Sequence, residues 1–102
     1  MSYRILRTDK ANDQLYDLIQ YIAAEASVET ALGYLDKLEA AVQNLAVFPY
    51  AGTVPRYSIL KKQGYRVLIV ERHLIFYKVY EETRTVILHA VVDARQEYQN
   101  LI

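Results

Sequence analysis

The feature that most constrains this chain is a single change in the spacing of its apolar residues. Between residues 9 and 45 they recur every three or four positions, whereas from Gly64 to Val92 they follow a period of two. The first pattern belongs to helices packed by one stripe and the second to strands. Leu15, Leu18, Ile19, Ile22 and Ala23 line one face of a first helix. Thr8 is placed to cap it, and Asp9 follows in the first turn, where the helix dipole favours negative charge. Ser27 begins a second helix with Glu29 in its first turn. Its apolar face is expected to run through Leu32, Leu35, Leu38, Val42 and Leu45, and Pro49 ends it. So short a link between the two helices predicts an antiparallel hairpin.

Tyr3–Arg7 reads as a short strand before the hairpin. After it, Pro49, Gly52 and Pro55 mark an irregular segment over residues 49–63, in which Ser58–Lys62 is a candidate short strand. Tyr65, Val67 and Ile69 then alternate with Arg66, Leu68 and Val70 across the two faces of a strand. A turn at Arg72-His73 leads into Leu74–Tyr80, and Glu81–Thr83 turns into Arg84–Val92. Asp93 with Gln96 three residues on fits a capping box for a C-terminal helix carrying Tyr98, Leu101 and Ile102. The order β-α-α-β-β-β-(α) predicts one α+β domain over residues 1–102, a helical hairpin packed on a small, mainly antiparallel twisted sheet.

The chain has no cysteine, which excludes disulfides and thiolate metal sites, and His73 and His89 lie too far apart to suggest a metal centre. Glycine-rich phosphate loops and Gly-x-Ser-x-Gly turns are missing too, so no cofactor is expected. Met1-Ser2-Tyr3-Arg4 lacks the apolar run of a signal peptide, and no stretch nears the roughly 18 apolar residues of a membrane span. A cytoplasmic protein is expected. Its net charge is zero, which argues against a generic nucleic-acid binder, but the charges are segregated. Residues 9–39 carry seven acids and two bases, whereas residues 40–70 carry Arg56, Lys61, Lys62 and Arg66 and no acid. Such segregation gives a neutral protein one electropositive surface. Arg56 and Tyr57, side by side in the basic segment, are candidate RNA contacts. His89, alone in an apolar strand, reads first as a half-buried structural residue.

Four segments in order resemble the RelE/ParE superfamily of toxins from bacterial type II toxin–antitoxin systems. They are Phe48-Pro49-x-x-Gly52 after the hairpin, Gly64-Tyr65-Arg66 opening a strand, His73–Val79 as the next strand, and Val92–Tyr98 closing the domain. The resemblance implies a cognate antitoxin in a hetero-oligomer, no membrane association, and one of two targets. RelE-like members cut messenger RNA on the ribosome, and ParE-like members poison DNA gyrase without a recognised catalytic centre. A third possibility it carries is an inactive relative that only binds antitoxin.

Messenger-RNA cleavage is the first expectation, because the resemblance places arginines where RelE-like enzymes keep them. That chemistry is metal-free: the 2′-hydroxyl attacks its neighbouring phosphate, and the site moves two protons and stabilises a phosphorane. Arg66 and Arg95 stand at the matched arginine positions, and a guanidinium suits a phosphorane because its fork is planar and stays charged. Lys61 and Lys62 fall near the family's catalytic lysines, and Tyr98 near its terminal tyrosine. The expected catalytic set is therefore Arg66, Arg95, Lys61, Lys62 and Tyr98.

Overall fold

Three strands of the sheet form a meander, and the fourth comes from the opposite end of the chain. The computed structural model describes residues 2–95. In it, β1 (Arg4–Arg7) leads into a hairpin of α1 (Asp9–Glu25) and α2 (Val28–Asn44). A short helix, α3 (Ser58–Lys62), precedes β2 (Arg66–Val70), β3 (His73–Tyr80) and β4 (Thr85–Asp93). The strand order is β1-β4-β3-β2, with β1 parallel to β4 and the other pairs antiparallel. This is the expected α+β arrangement. The expected C-terminal helix, with Tyr98, lies outside the described residues.

Both expected caps form. The Thr8 hydroxyl accepts the Ala11 N–H at 3.1 Å, and the Ser27 hydroxyl accepts the Thr30 N–H at 3.0 Å. Each contributes about 1 kcal/mol by satisfying a donor the helix cannot. The hairpin stripes bury Ile75, Tyr77, Val86 and Leu88 on one face of the sheet, with Leu15, Leu18 and Ile19 packed against them. The apolar stripe of α2 needs one correction. Leu32 is 52% exposed and Ala31 takes its place in the core. Stepping back from Leu45 by threes and fours reaches Ala31, while Leu32 falls a further 100° around the helix.

Two further expectations are corrected. Ser58–Lys62 is helical rather than a strand. The free edge of β2 is already occupied by Thr53, which exchanges two 2.8 Å backbone hydrogen bonds with Val67. Residues 58–62 therefore have no edge to pair with, and a single turn lets Leu60 reach the core while Lys61 and Lys62 face water. The β2–β3 turn falls at Glu71-Arg72, one residue early, because His73 pairs with Val70. Glu71 sits there at φ +52°, a left-handed conformation that costs a side chain about 1 kcal/mol or more.

Candidate functional site

The hairpin covers one face of the sheet, and α3 covers only part of the other. Beneath α3, Leu60 packs with Val67, Leu74, Phe76, Ala90 and Val92, leaning on Tyr57 and Tyr65. The outer face then continues past α3 as a half-exposed group of polar rings around a lysine. Tyr65 stands edge-on to His89 with ring centres 5.5 Å apart, and the Lys78 ammonium lies 4.5 Å from the Tyr65 ring centre. The Tyr80 hydroxyl is 3.4 Å from His89 Nε2.

A β-bulge produces this arrangement. Phe76 pairs with Ala90 and Tyr77 with Leu88, so His89 is the extra residue of β4. The bulge aims His89 outward without disturbing the buried sequence on either side. Burial, and then the neighbouring Lys78 charge, push the His89 imidazole below its ordinary pKa.

The matched arginines stand elsewhere. Arg66 lies at the start of β2 and reaches the Phe48–Gly52 junction. Its guanidinium donates to the Gly52 carbonyl at 2.7 Å and the Tyr50 carbonyl at 3.1 Å, and sits 5.3 Å from the Tyr50 ring centre. Tyr77, fully buried, holds the same junction from below. Its hydroxyl donates to the Pro49 carbonyl at 2.8 Å and accepts the Gly52 N–H at 3.0 Å. Gly52 has no room for a side chain, since a Cβ there would meet the Val67 carbonyl at 2.6 Å. Glu81 completes the clamp by accepting both the Tyr3 and Tyr50 hydroxyls, and that bond holds the Tyr50 phenol up at about 12.

Arg95 belongs to the other end of the sheet. It forks onto Asp93, with Nε at 3.1 Å and Nη2 at 2.7 Å, and holds that carboxyl well below the usual carboxylate range. The register Arg66↔Tyr77, Val70↔His73↔Asp93 puts four residues of strand, roughly 13 Å, between the two arginines' ends of the sheet. Lys61 and Lys62 end α3, and Arg56 donates to the Tyr57 hydroxyl at 3.0 Å beside it. The basic residues of the α3 region thus share the outer face, but Arg66 and Arg95 do not meet each other. Sequence reasoning missed the Tyr65–Lys78–Tyr80–His89 group; its one signal is a histidine interrupting the run Val86–Val92.

Residues 5–98 match the ParE toxin family, described as the toxin of the type II toxin–antitoxin system parDE. The chain belongs to the ParE toxin family. The toxin is also similar to solved structures. A chain from the chromosomal ParDE system of P. aeruginosa has a TM-score of 0.76 at 16% identity, covering 92% of this chain and 98% of that one. One from the RelBE2 toxin–antitoxin complex of Mycobacterium tuberculosis has a TM-score of 0.64 at 20% identity, covering 91% and 92%. No curated protein matches the sequence. Among the toxin's described residues, no helix is long and apolar enough to cross a membrane.

A groove of about 740 Å³ runs between the toxin's hairpin and the end of its sheet, lined by residues that include Leu18, Ile22, Tyr34, His73, Val91 and Arg95. Tyr34 donates to the Val70 carbonyl at 3.0 Å, so the 2.7 Å contact with His73 Nδ1 is donated by the histidine. Burial pushes the His73 pKa down despite nearby Asp93, and Arg72 and Arg95 add to the lowering. Both histidines thus protonate less readily folded than unfolded. As pH falls through the unfolded value of about 6.5, the unfolded chain takes up protons first, and stability drops until the folded pKa values are passed. The urea midpoint should therefore be lower at pH 5.5 than at 7.5, and His73→Gln with His89→Gln should flatten that fall. A midpoint that rises on acidification would show the sign to be wrong.

Proposed function

We propose that this toxin arrests growth by poisoning DNA gyrase rather than by cutting messenger RNA. The observation that carries this reading is the engagement of the two matched arginines. Arg66 is bound to loop carbonyls and Arg95 to Asp93, at opposite ends of a strand. A phosphorane needs preorganised charge converging on one point, and these two guanidiniums do not converge. The family match to ParE toxins agrees with the gyrase reading. An antitoxin partner fits the groove beside the hairpin, whose apolar lining suits an amphipathic segment.

Induction of the toxin alone in a bacterial host tests the target. The DNA-damage response is expected to rise before protein synthesis falls, with messages intact on the ribosome. An antitoxin encoded beside it should restore growth when co-expressed. Messages cut at ribosomal positions, with no early DNA breaks, would replace this reading with the nuclease one.

A further inference from the structure

We propose that the half of the sheet's outer face left open by the described residues binds the phosphodiester backbone of a nucleic acid, with one phosphate held by Lys78, His89 and Tyr80. Three observations lead there. The first is a cluster of donors around one ring. The Lys78 ammonium and the His89 ring both flank Tyr65, at 4.5 Å and 5.5 Å from its centre, and the Tyr80 hydroxyl approaches His89 at 3.4 Å. Among the described residues Lys78 has no carboxylate partner. A phosphate there would meet an ammonium, an imidazole and a phenol, and would supply a counter-charge to Lys78.

The second is the sign of the surrounding charge. The one acid within any described strand is Asp93, and it stands opposite His73, which bonds Tyr34 of α2 on the hairpin side. The outer face carries Lys78 and His89, and Arg4 alternates onto it because Ile5 packs under the hairpin. Arg56, Lys61 and Lys62 continue the same sign along α3 and its approach. The seven acids of residues 9–39 sit on the far layer. A polyanion thus has one face to approach and one to avoid.

The third is construction. A bulge that places an extra histidine outward interrupts the ladder, and such irregularities recur where a strand re-aims a side chain for use. Burial and the Lys78 charge hold the His89 pKa below its ordinary value. Tyr65, Tyr80 and Lys78 are the groups that face the imidazole; a bound phosphate would oppose the Lys78 effect and raise that pKa.

This inference goes beyond the gyrase reading and does not need it, because nucleic acid is equally at hand on gyrase and on the ribosome. The test uses purified antitoxin-free toxin and fluorescent oligonucleotides of one sequence as single-stranded DNA, duplex DNA and RNA. Binding is measured by anisotropy from low to physiological salt. Saturable, salt-sensitive binding of at least one oligonucleotide is expected. Lys78→Met should weaken it roughly tenfold and lower the slope of log affinity against log salt by about one, while Lys37→Met on the hairpin should change neither. The His89 imidazole resonance should titrate at higher pH when the oligonucleotide is bound. No binding at low salt overturns the proposal, as does binding indifferent to both Lys78→Met and His89→Ala in variants that keep the wild-type circular dichroism. Capture of an acidic protein segment on this face without any nucleic-acid binding overturns it too. Growth arrest that survives the loss of binding would leave the gyrase reading standing by itself.

Discussion

Tyr77→Phe is expected to destabilise the protein by about 3 kcal/mol, a large effect for the removal of one oxygen atom. The ring would stay in its buried place, but the Gly52 N–H and the Pro49 carbonyl would lose their partner. A buried polar group left unpaired costs about 1–3 kcal/mol, and here there are two. In a domain of this size that loss should lower Tm by roughly 10–20 °C. Gly52→Ala should act in the same direction, because its Cβ would meet the Tyr77 hydroxyl at 2.7 Å and a backbone carbonyl closer still. Thermal unfolding followed by circular dichroism measures both. A Tyr77→Phe variant that melts within a few degrees of wild type would mean that water replaces the hydroxyl, and the junction would not be pinned as described.

Arg66→Ala should cost about 2 kcal/mol of stability, whereas Arg95→Ala should leave it nearly unchanged. The difference follows from their partners. Arg66 gives charge-assisted bonds to two loop carbonyls, each worth about 1.5–3 kcal/mol before solvent takes over the exposed Tyr50 carbonyl, and its Nε is buried without a partner, which offsets part of the gain. Arg95 forms a local ion pair with a residue two positions away, its side chain 65% exposed, where such pairs contribute little. Chemical denaturation of both variants, beside their toxicity, separates a structural arginine from a catalytic one. If Arg66→Ala were as stable as wild type and yet harmless to cells, its guanidinium would act on the target.

Much of the fold was legible because it is local. The two caps, the i, i+3, i+4 stripe of α1 and the alternation from Tyr65 onward each need only a few neighbouring residues to declare themselves. The failures lie where a distant residue decides. Ser58–Lys62 mixes a strand former, Ile59, with the helix formers Leu60, Lys61 and Lys62, and the occupation of the β2 edge by Thr53 leaves it no strand to pair with. The C-terminal end of the α2 stripe was legible, but Ala31 in place of Leu32 depended on following its phase back from Leu45.

The candidate site was less legible than the fold for the same reason. Arg66 was picked out by its position in a Gly-Tyr-Arg segment, yet its partners are carbonyls fourteen and sixteen residues away, which no local pattern announces. His89 was read as a structural histidine, since a bulge is a property of two strands and the sequence of one strand does not reveal it. The segregation of charge, by contrast, is plain in the sequence: the seven acids of residues 9–39 lie on the hairpin, and Arg56, Lys61 and Lys62 lie along α3 and its approach, while Arg66 turns to the Tyr77 face of the sheet.

The parallel pairing of β1 with β4 sets a schedule for the molecule's making. Arg4 pairs with Thr85 and Arg7 with Leu88, so the first strand to be synthesised waits for the last. The hairpin and the meander join neighbours in sequence and can form as they emerge, but closing β1 against β4 requires nearly the whole described chain and the largest loop-closure entropy in the fold. Until then β4 lacks the partner on one of its edges, and Tyr3 cannot reach Glu81 to complete the clamp on Tyr50. Arg66 and Tyr77 can hold the Phe48–Gly52 junction before that, but its Tyr3–Glu81–Tyr50 link closes only once β1 has docked on β4. A nascent chain halted before β4 would hold its helices without the strand that joins β1 to β3.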